Sequence, residues 1–290
     1  MPFRCPIIRS VWILPLLILL AMACPAAGAE KSAATLWIKD SLTSPNQAAT
    51  VEAKLVAKGL LTQTGLGGEP LELLVDGKVV ASGMTGGDGR AFLSYTPNRQ
   101  GVIPVQVRVG NSPRVGSTES QGHLAVWEKR NPILVVELAA LMEHLSPPVP
   151  LPGGAFKIEP ERKPMPDAAE ELGKLTQFYY RVVYVVGPVS GGADGFQASM
   201  EARDWLKTHK FPAGYLLVLP PGEDALGTNI DELHEAGWKT IKTGIGRSKA
   251  FAETFLRRRL DALMVPEPAK GDAPRKAKVA KEWKDVRKKL

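Results

Sequence analysis

YRVVYVVGPVSGGADGFQASMEARDW, residues 180–205, is the stretch whose reading decides the fold. Val182, Val183, Tyr184, Val185 and Val186 run without polar alternation, the pattern of a strand buried on both faces of a parallel sheet. Gly187 and Pro188 end that strand, and residues 190–195 read as a Gly-rich loop. Residues 197–207 then resume helical spacing, with Met200, Trp205 and Leu206 available for one face. Strand, turn and helix make half of a βαβ unit, and the carboxyl end of such a strand is where α/β folds keep their chemistry.

The surrounding sequence repeats the pattern. Residues 133–136 and 215–219 are further apolar strands, and residues 260–265 are the last such run before Pro266 and Pro268. Helical spacing recurs over residues 167–178, 230–236 and 248–259, while residues 238–243 suit a strand or a connector. Strands separated by helices imply a parallel sheet with right-handed crossovers. Residues 146–166 are rich in Pro and Gly and read as an inserted loop.

Upstream the character changes to short alternating strands. Residues 35–38 and 46–56 suit the first two. Leu71, Leu73 and Val75 alternate before the Asp76-Gly77 turn, and residues 79–81 return. A second turn, Gly86-Gly87-Asp88-Gly89, precedes Ala91, Leu93 and Tyr95. Ile103, Val105, Val107 and Val109 follow, and residues 123–127 close the series. Regular spacing with Gly and Asp turns argues a β-sandwich. Asp76 and Asp88 have two readings, as calcium ligands or as turn caps, and Asp-Gly turns favour caps. Residues 128–132, ending at Pro132, form a charged hinge.

Composition bounds the rest. At 290 residues, 44% hydrophobic and 23% charged, the chain suits two modest globular domains. Arg4 and Arg9, an apolar run over residues 11–22 and the small residues Ala27, Gly28 and Ala29 read as an export signal cleaved before Glu30. The run is short for a spanning helix, which needs about 20 residues, so no transmembrane segment is expected in the mature chain. The alternative is a lipoprotein anchored at Cys24. Both cysteines, Cys5 and Cys24, fall in this segment, so the mature chain is expected to hold neither disulfide nor cysteine metal site. The net charge of +7 owes much to residues 270–289, read as a solvated basic tail that leaves room for an anionic surface as partner. No nucleic-acid motif is present. His123, His144, His209 and His234 lack ligand spacing, so no metal is expected.

The β stretch resembles bacterial Ig-like and prealbumin-like modules of exported proteins, through Pro70-Leu71 to Asp76-Gly77, residues 85–90, Tyr95-Thr96-Pro97 and Gly101. Residues 131–268 resemble the haloacid dehalogenase superfamily, in particular its lipin-type phosphatase branch. The carriers are the strand layout, residues 166–172, residues 181–187, Trp205-Leu206 and Phe211-Pro212-Ala213-Gly214. These resemblances imply a signal peptide at 1–29, an all-β Ig-like sandwich at 30–128, an α/β three-layer, mostly parallel-sheet domain at 131–268, and a basic tail at 269–290.

The resemblance also implies a site, and the chain departs from it. The family's first strand ends in Asp-x-Asp-x-Thr, the two carboxylates serving as nucleophile and acid/base and holding magnesium. Here that place reads Glu137-Leu138-Ala139-Ala140-Leu141. Glu137 is one methylene too long, and Ala139 has no proton to give. The family's second-strand hydroxyl falls at Gly187 or Val186, and its lysine at Lys249 or Lys242. Its late acidic pair finds Glu267 alone. Two readings of Glu137 are open: a remnant nucleophile, or a carboxylate paired with Lys249 or capping a helix. Residues 190–195 are read as a flexible loop rather than a phosphate cradle. Thr243, Gly244, Gly246, Arg247 and Ser248 form a second candidate, an anion-binding loop at a helix start, with Ser248 alternatively a simple cap. The expected function is extracytoplasmic binding or scaffolding without catalysis and without cofactor. The alternatives are a divergent magnesium-dependent phosphohydrolase using Glu137, or a phosphate or nucleotide module without chemistry.

Overall fold

The structure, a computed structural model, describes residues 31–57, 64–143, 162–187 and 195–290. The export segment with Cys5 and Cys24, His144, most of the 146–166 loop and the 190–195 loop up to Asp194 lie outside the described residues.

The N-terminal half is a two-sheet sandwich. β1 (Ala34–Ile38) pairs antiparallel with β3 (Ala49–Ala57), between them lies β2 (Ser41–Thr43), and β4 (Thr64–Gly65) extends the β3 ladder. β5 (Pro70–Val75), β6 (Lys78–Met84), β7 (Arg90–Tyr95), β8 (Gly101–Val109) and β9 (Glu119–Val126) follow. β7 joins β3 in the first sheet, and the second has the order β2-β9-β8-β5-β6. Alternate residues bury Leu71, Leu73, Val105, Val107 and Leu124 between the sheets. Each such side chain contributes about 1.5–3 kcal/mol. Asp76 takes a positive φ in the β5–β6 hairpin and pairs with Arg99, while Asp88 Oδ1 accepts from the Arg90 amide at 3.0 Å.

The C-terminal half is a parallel sheet. β10 (Ile133–Glu137) runs into a 3-10 turn, Leu138–Leu141, and α1 (Ala168–Phe178) leads to β11 (Arg181–Val186). Then come α2 (Gly195–Thr208), β12 (Tyr215–Val218), α3 (Ala225–Glu235) and β13 (Ile241–Gly246). α4 (Lys249–Arg257), β14 (Asp261–Met264), β15 (Lys278–Val279) and α5 (Trp283–Lys289) complete it. The order is β12-β11-β10-β13-β14-β15, and every pairing within it is parallel. The apolar run of β11 is buried on both faces, as its composition requires. Trp205 and Phe211 stack at 5.3 Å, and the Tyr184 hydroxyl donates to the Pro212 carbonyl at 2.6 Å. A Cβ on Gly214 would stand 2.5 Å from the Val182 carbonyl oxygen, so only glycine lets the chain enter β12 here.

One expectation needs correction. Residues 278–290 are not a solvated tail. β15 adds a strand beside β14, and Ala280, Trp283 and Val286 are fully buried in the core under β10. Charge density concealed this: the basic residues line the outer face of α5, while Trp283 and Val286, three apart, face inward. Several of these charges have partners within the chain, Lys284 with Asp167 and Arg287 with Glu171. The sandwich and the parallel half lie within one compact unit, residues 31–290. Ala125 and Trp127 of the sandwich share an apolar cluster with Ile133, Val183, Trp238 and Phe255 of the parallel half.

Candidate functional site

The tip of β10 is where the sequence places any chemistry, and there the structure brings Glu137, Arg247 and Ser248 together. Glu137 Oε2 accepts from the backbone amides of Arg247 at 2.6 Å and Ser248 at 2.9 Å. Its Oε1 accepts from the Ser248 hydroxyl at 2.6 Å, and the Ser248 hydroxyl oxygen in turn accepts from the Phe251 amide at 3.2 Å. The carboxylate thus sits on the N-terminus of α4, where free amides and the helix dipole favour negative charge. A longer side chain than aspartate is what spans from β10 to this helix.

Lys249 does not join them. Its ammonium lies 4.0 Å from Glu253 on its own helix, and the side chain is mostly exposed. Of the two roles left open for Glu137, the structure shows the helix cap and not the pair with Lys249. Lys242 lies near the opposite end of β13. Thr243, Gly244 and Gly246 are strand residues rather than a loop. A Cβ on Gly244 would stand 2.6 Å from the Phe255 ring, and one on Gly246 2.3 Å from Phe251. These glycines let the stacked pair Phe251 and Phe255 lie flat on β13. Arg247 points toward Met165, with Nη2 at 3.3 Å from the sulfur, and burial lowers its pKa.

Near Glu137, neither Ala139 nor Gly187 carries a reactive group. Ala139 is exposed in the 3-10 turn, and Gly187 ends β11. The Ala140 carbonyl accepts from the Trp283 indole at 3.0 Å. Magnesium needs several free oxygens, but both Glu137 oxygens face N–H and O–H donors, so this tip does not fit the ion. Among the described residues no three His, Cys, Asp or Glu side chains gather as a metal set.

A second constellation joins the two halves, and the sequence reading did not find it. Asp40 lies where the chain crosses from β1 to β2, and its side chain is 1% exposed. Its Oδ1 accepts from Arg203 Nε at 3.1 Å and Nη2 at 2.7 Å, and from the His123 amide at 2.9 Å. Arg203, on α2, also donates to the carbonyl of Gln121 at 2.7 Å and to that of Ile38 at 3.3 Å. A planar guanidinium supplies such a fan of donors from one position. The His123 pKa is lowered, first by burial, against the pull of Asp40. Tyr215 is pushed up to about 12, by burial first and the Asp40 charge second. This ion pair borders a cavity of about 680 Å³ between β1, β9 and α2, with Leu36, Met200, Leu206 and Phe211 among its walls. The only sequence signal was Arg203 on the same helical face as Phe196, Ser199 and Leu206. Its partner lies 163 positions away.

No family model matches the chain, and no curated protein matches it either. Among solved structures, similarity extends to a D,D-heptose bisphosphate phosphatase from B. bronchiseptica, with 15% identity, 54% of this chain, 96% of that one and a TM-score of 0.40. A CARDB domain from Pyrococcus furiosus shares 17% identity over 34% of this chain and 90% of its own, with a TM-score of 0.26. The D00-D0 domain of intimin shares 12% identity over 34% of this chain and 51% of its own, with a TM-score of 0.23. None of these likenesses places the chain in a family. No helix among the described residues is long and apolar enough to cross a membrane.

Proposed function

We propose that the protein is an exported binding or scaffolding protein that fuses an Ig-like sandwich to an α/β domain of haloacid dehalogenase layout without its chemistry. The observation that carries this reading is the use of Glu137 as an internal cap. A nucleophilic carboxylate needs a free oxygen aimed at phosphorus, and both of these are held by donors from α4. Ala139 supplies no acid, and losing a general acid costs about a hundredfold to ten-thousandfold in rate. The same contacts weigh against a phosphate module. Any phosphate at Arg247 and Ser248 would have to displace a covalently tethered carboxylate.

The test is turnover of a generic aryl phosphate and of a phospholipid phosphate by the whole protein with magnesium. The account expects none above background. Turnover that Glu137→Gln abolishes would overturn it in favour of a divergent phosphohydrolase. Export is tested separately by mass spectrometry of the protein from its producing cell, with a first residue expected near Glu30. A diacylglycerol on Cys24 would instead place the chain on a membrane.

A further inference from the structure

Arg181 carries a charge to which the fold gives no partner. It opens β11, opposite Ile133 at the start of β10, the far end of that strand from Glu137. Its backbone amide donates to the Pro132 carbonyl at 2.8 Å, but its guanidinium makes no hydrogen bond or ion pair among the described residues. The Nε is buried. The two terminal nitrogens are equally unbonded yet are not among the buried atoms, so they stay open to a ligand. A half-buried cation without an acceptor calls for an explanation, because such groups are normally paired.

Arg181 lines a pocket of about 260 Å³ where β8 of the sandwich meets the parallel half, together with Val102, Thr176, Tyr180, Pro212 and Ala213. No Asp or Glu is among its described walls. The Thr176 hydroxyl is turned to its own helix, toward the carbonyls of Leu172 at 3.0 Å and Gly173 at 3.1 Å. Burial pushes the Tyr180 phenol up, so it stays neutral. Arg181 is therefore the one charge on these walls among the described residues, and it suits one negative charge. Its planar fork matches the two oxygens of a carboxylate, whereas a phosphate dianion would bring a second charge with no cation to meet it. Val102, Tyr180, Pro212 and Ala213 offer apolar surface to the rest of the molecule. At about 30 Å³ for each water-sized group, the pocket has room for about nine non-hydrogen atoms.

We infer that this pocket binds a small monocarboxylate with an apolar body, its carboxylate held by the terminal nitrogens of Arg181. The site is separate from the Glu137 tip. Turnover at Glu137 would sink the reading above and leave this one standing.

The experiment uses the whole protein and three probes, benzoate, its neutral isostere benzamide, and acetate, which has the charge without the body. Binding is read by NMR from the amides of Val102, Arg181 and Ala213. Benzoate is expected to shift them saturably, at one site per chain, and to bind about tenfold or more tighter than benzamide, the usual effect of hydrogen bonds to a charged group. Acetate should bind about tenfold or more weaker than benzoate, for want of apolar contact. Arg181→Met should remove the preference for benzoate over benzamide while leaving the melting temperature unchanged, since the guanidinium holds no other part of the fold. No saturable shift with benzoate overturns the proposal. Equal affinity for benzoate and benzamide, or for benzoate and acetate, overturns it too, as does undiminished benzoate binding by Arg181→Met. Should that variant fail to fold, the three probes on the native protein still decide.

Discussion

Trp283→Ala is the change that best measures how deeply the C-terminal segment is built into the fold. Trp283 is fully buried, and its indole donates to the Ala140 carbonyl at 3.0 Å, directly beneath the tip of β10. Truncating a buried Trp to Ala costs about 3–5 kcal/mol through lost transfer energy and the cavity left behind. Leaving the Ala140 carbonyl without its donor adds about 1 kcal/mol, less where water enters. The expected loss is about 4–6 kcal/mol, a large part of the 5–15 kcal/mol typical of a native protein. For a chain of this size that corresponds to a fall of about 8–24 °C in melting temperature. Trp283→Phe keeps the apolar body and removes the N–H, so it should lose far less, about 1–2 kcal/mol. Urea and thermal unfolding by circular dichroism read both variants. A Trp283→Ala protein that melts within about 2 °C of the native one would show that residues 278–290 are a detachable tail after all.

Other outcomes follow from the same contacts. Gly244→Ala forces a methyl to within 2.6 Å of the Phe255 ring, and overpacking of this kind should cost about 1–3 kcal/mol in urea unfolding. Arg203→Met leaves the Asp40 carboxylate buried without its partner, which should cost about 3–5 kcal/mol. Asp40→Asn combined with Arg203→Met should recover part of that loss. The lowered pKa of His123 means that the unfolded chain takes up the proton first as pH falls. Stability is then fully present above its ordinary value of 6.5 and declines below it, and His123→Gln should flatten that decline. Asp40, Arg203 and Lys207 are the charges acting on this ring, and pH-dependent urea midpoints give the comparison.

The architecture was legible where side-chain pattern alone determines it. The apolar runs of β10, β11 and β12 and the turns at Asp76-Gly77 and Gly86–Gly89 follow from local chemistry, and they stand where the sequence puts them. β2 was not legible, since three residues carry no period, and its pairing with β9 depends on a chain crossing between sheets. α5 was hidden because its lysines outnumber the two side chains that fix it. The site was legible only in its anchor. Glu137 was found, and a helix cap was among its expected roles, but Arg247 and Ser248 as its donors required knowing how β13 ends beside β10. The glycines of β13 looked like a phosphate cradle because Gly next to a helix start has the same composition in both uses. Asp40 and Arg203 are distant in sequence, and no local pattern pairs them.

The central claim is that the carboxylate of Glu137 closes the N-terminus of α4 and leaves no anion site at the β10 tip. Amide resonances of Arg247 and Ser248, followed by NMR during titration with inorganic phosphate and magnesium, test it most directly. The account predicts two amides protected from hydrogen exchange and unmoved by phosphate in the native protein, with protection lost in Glu137→Ala. Saturable shifts of those two amides on adding phosphate to the native protein would contradict it.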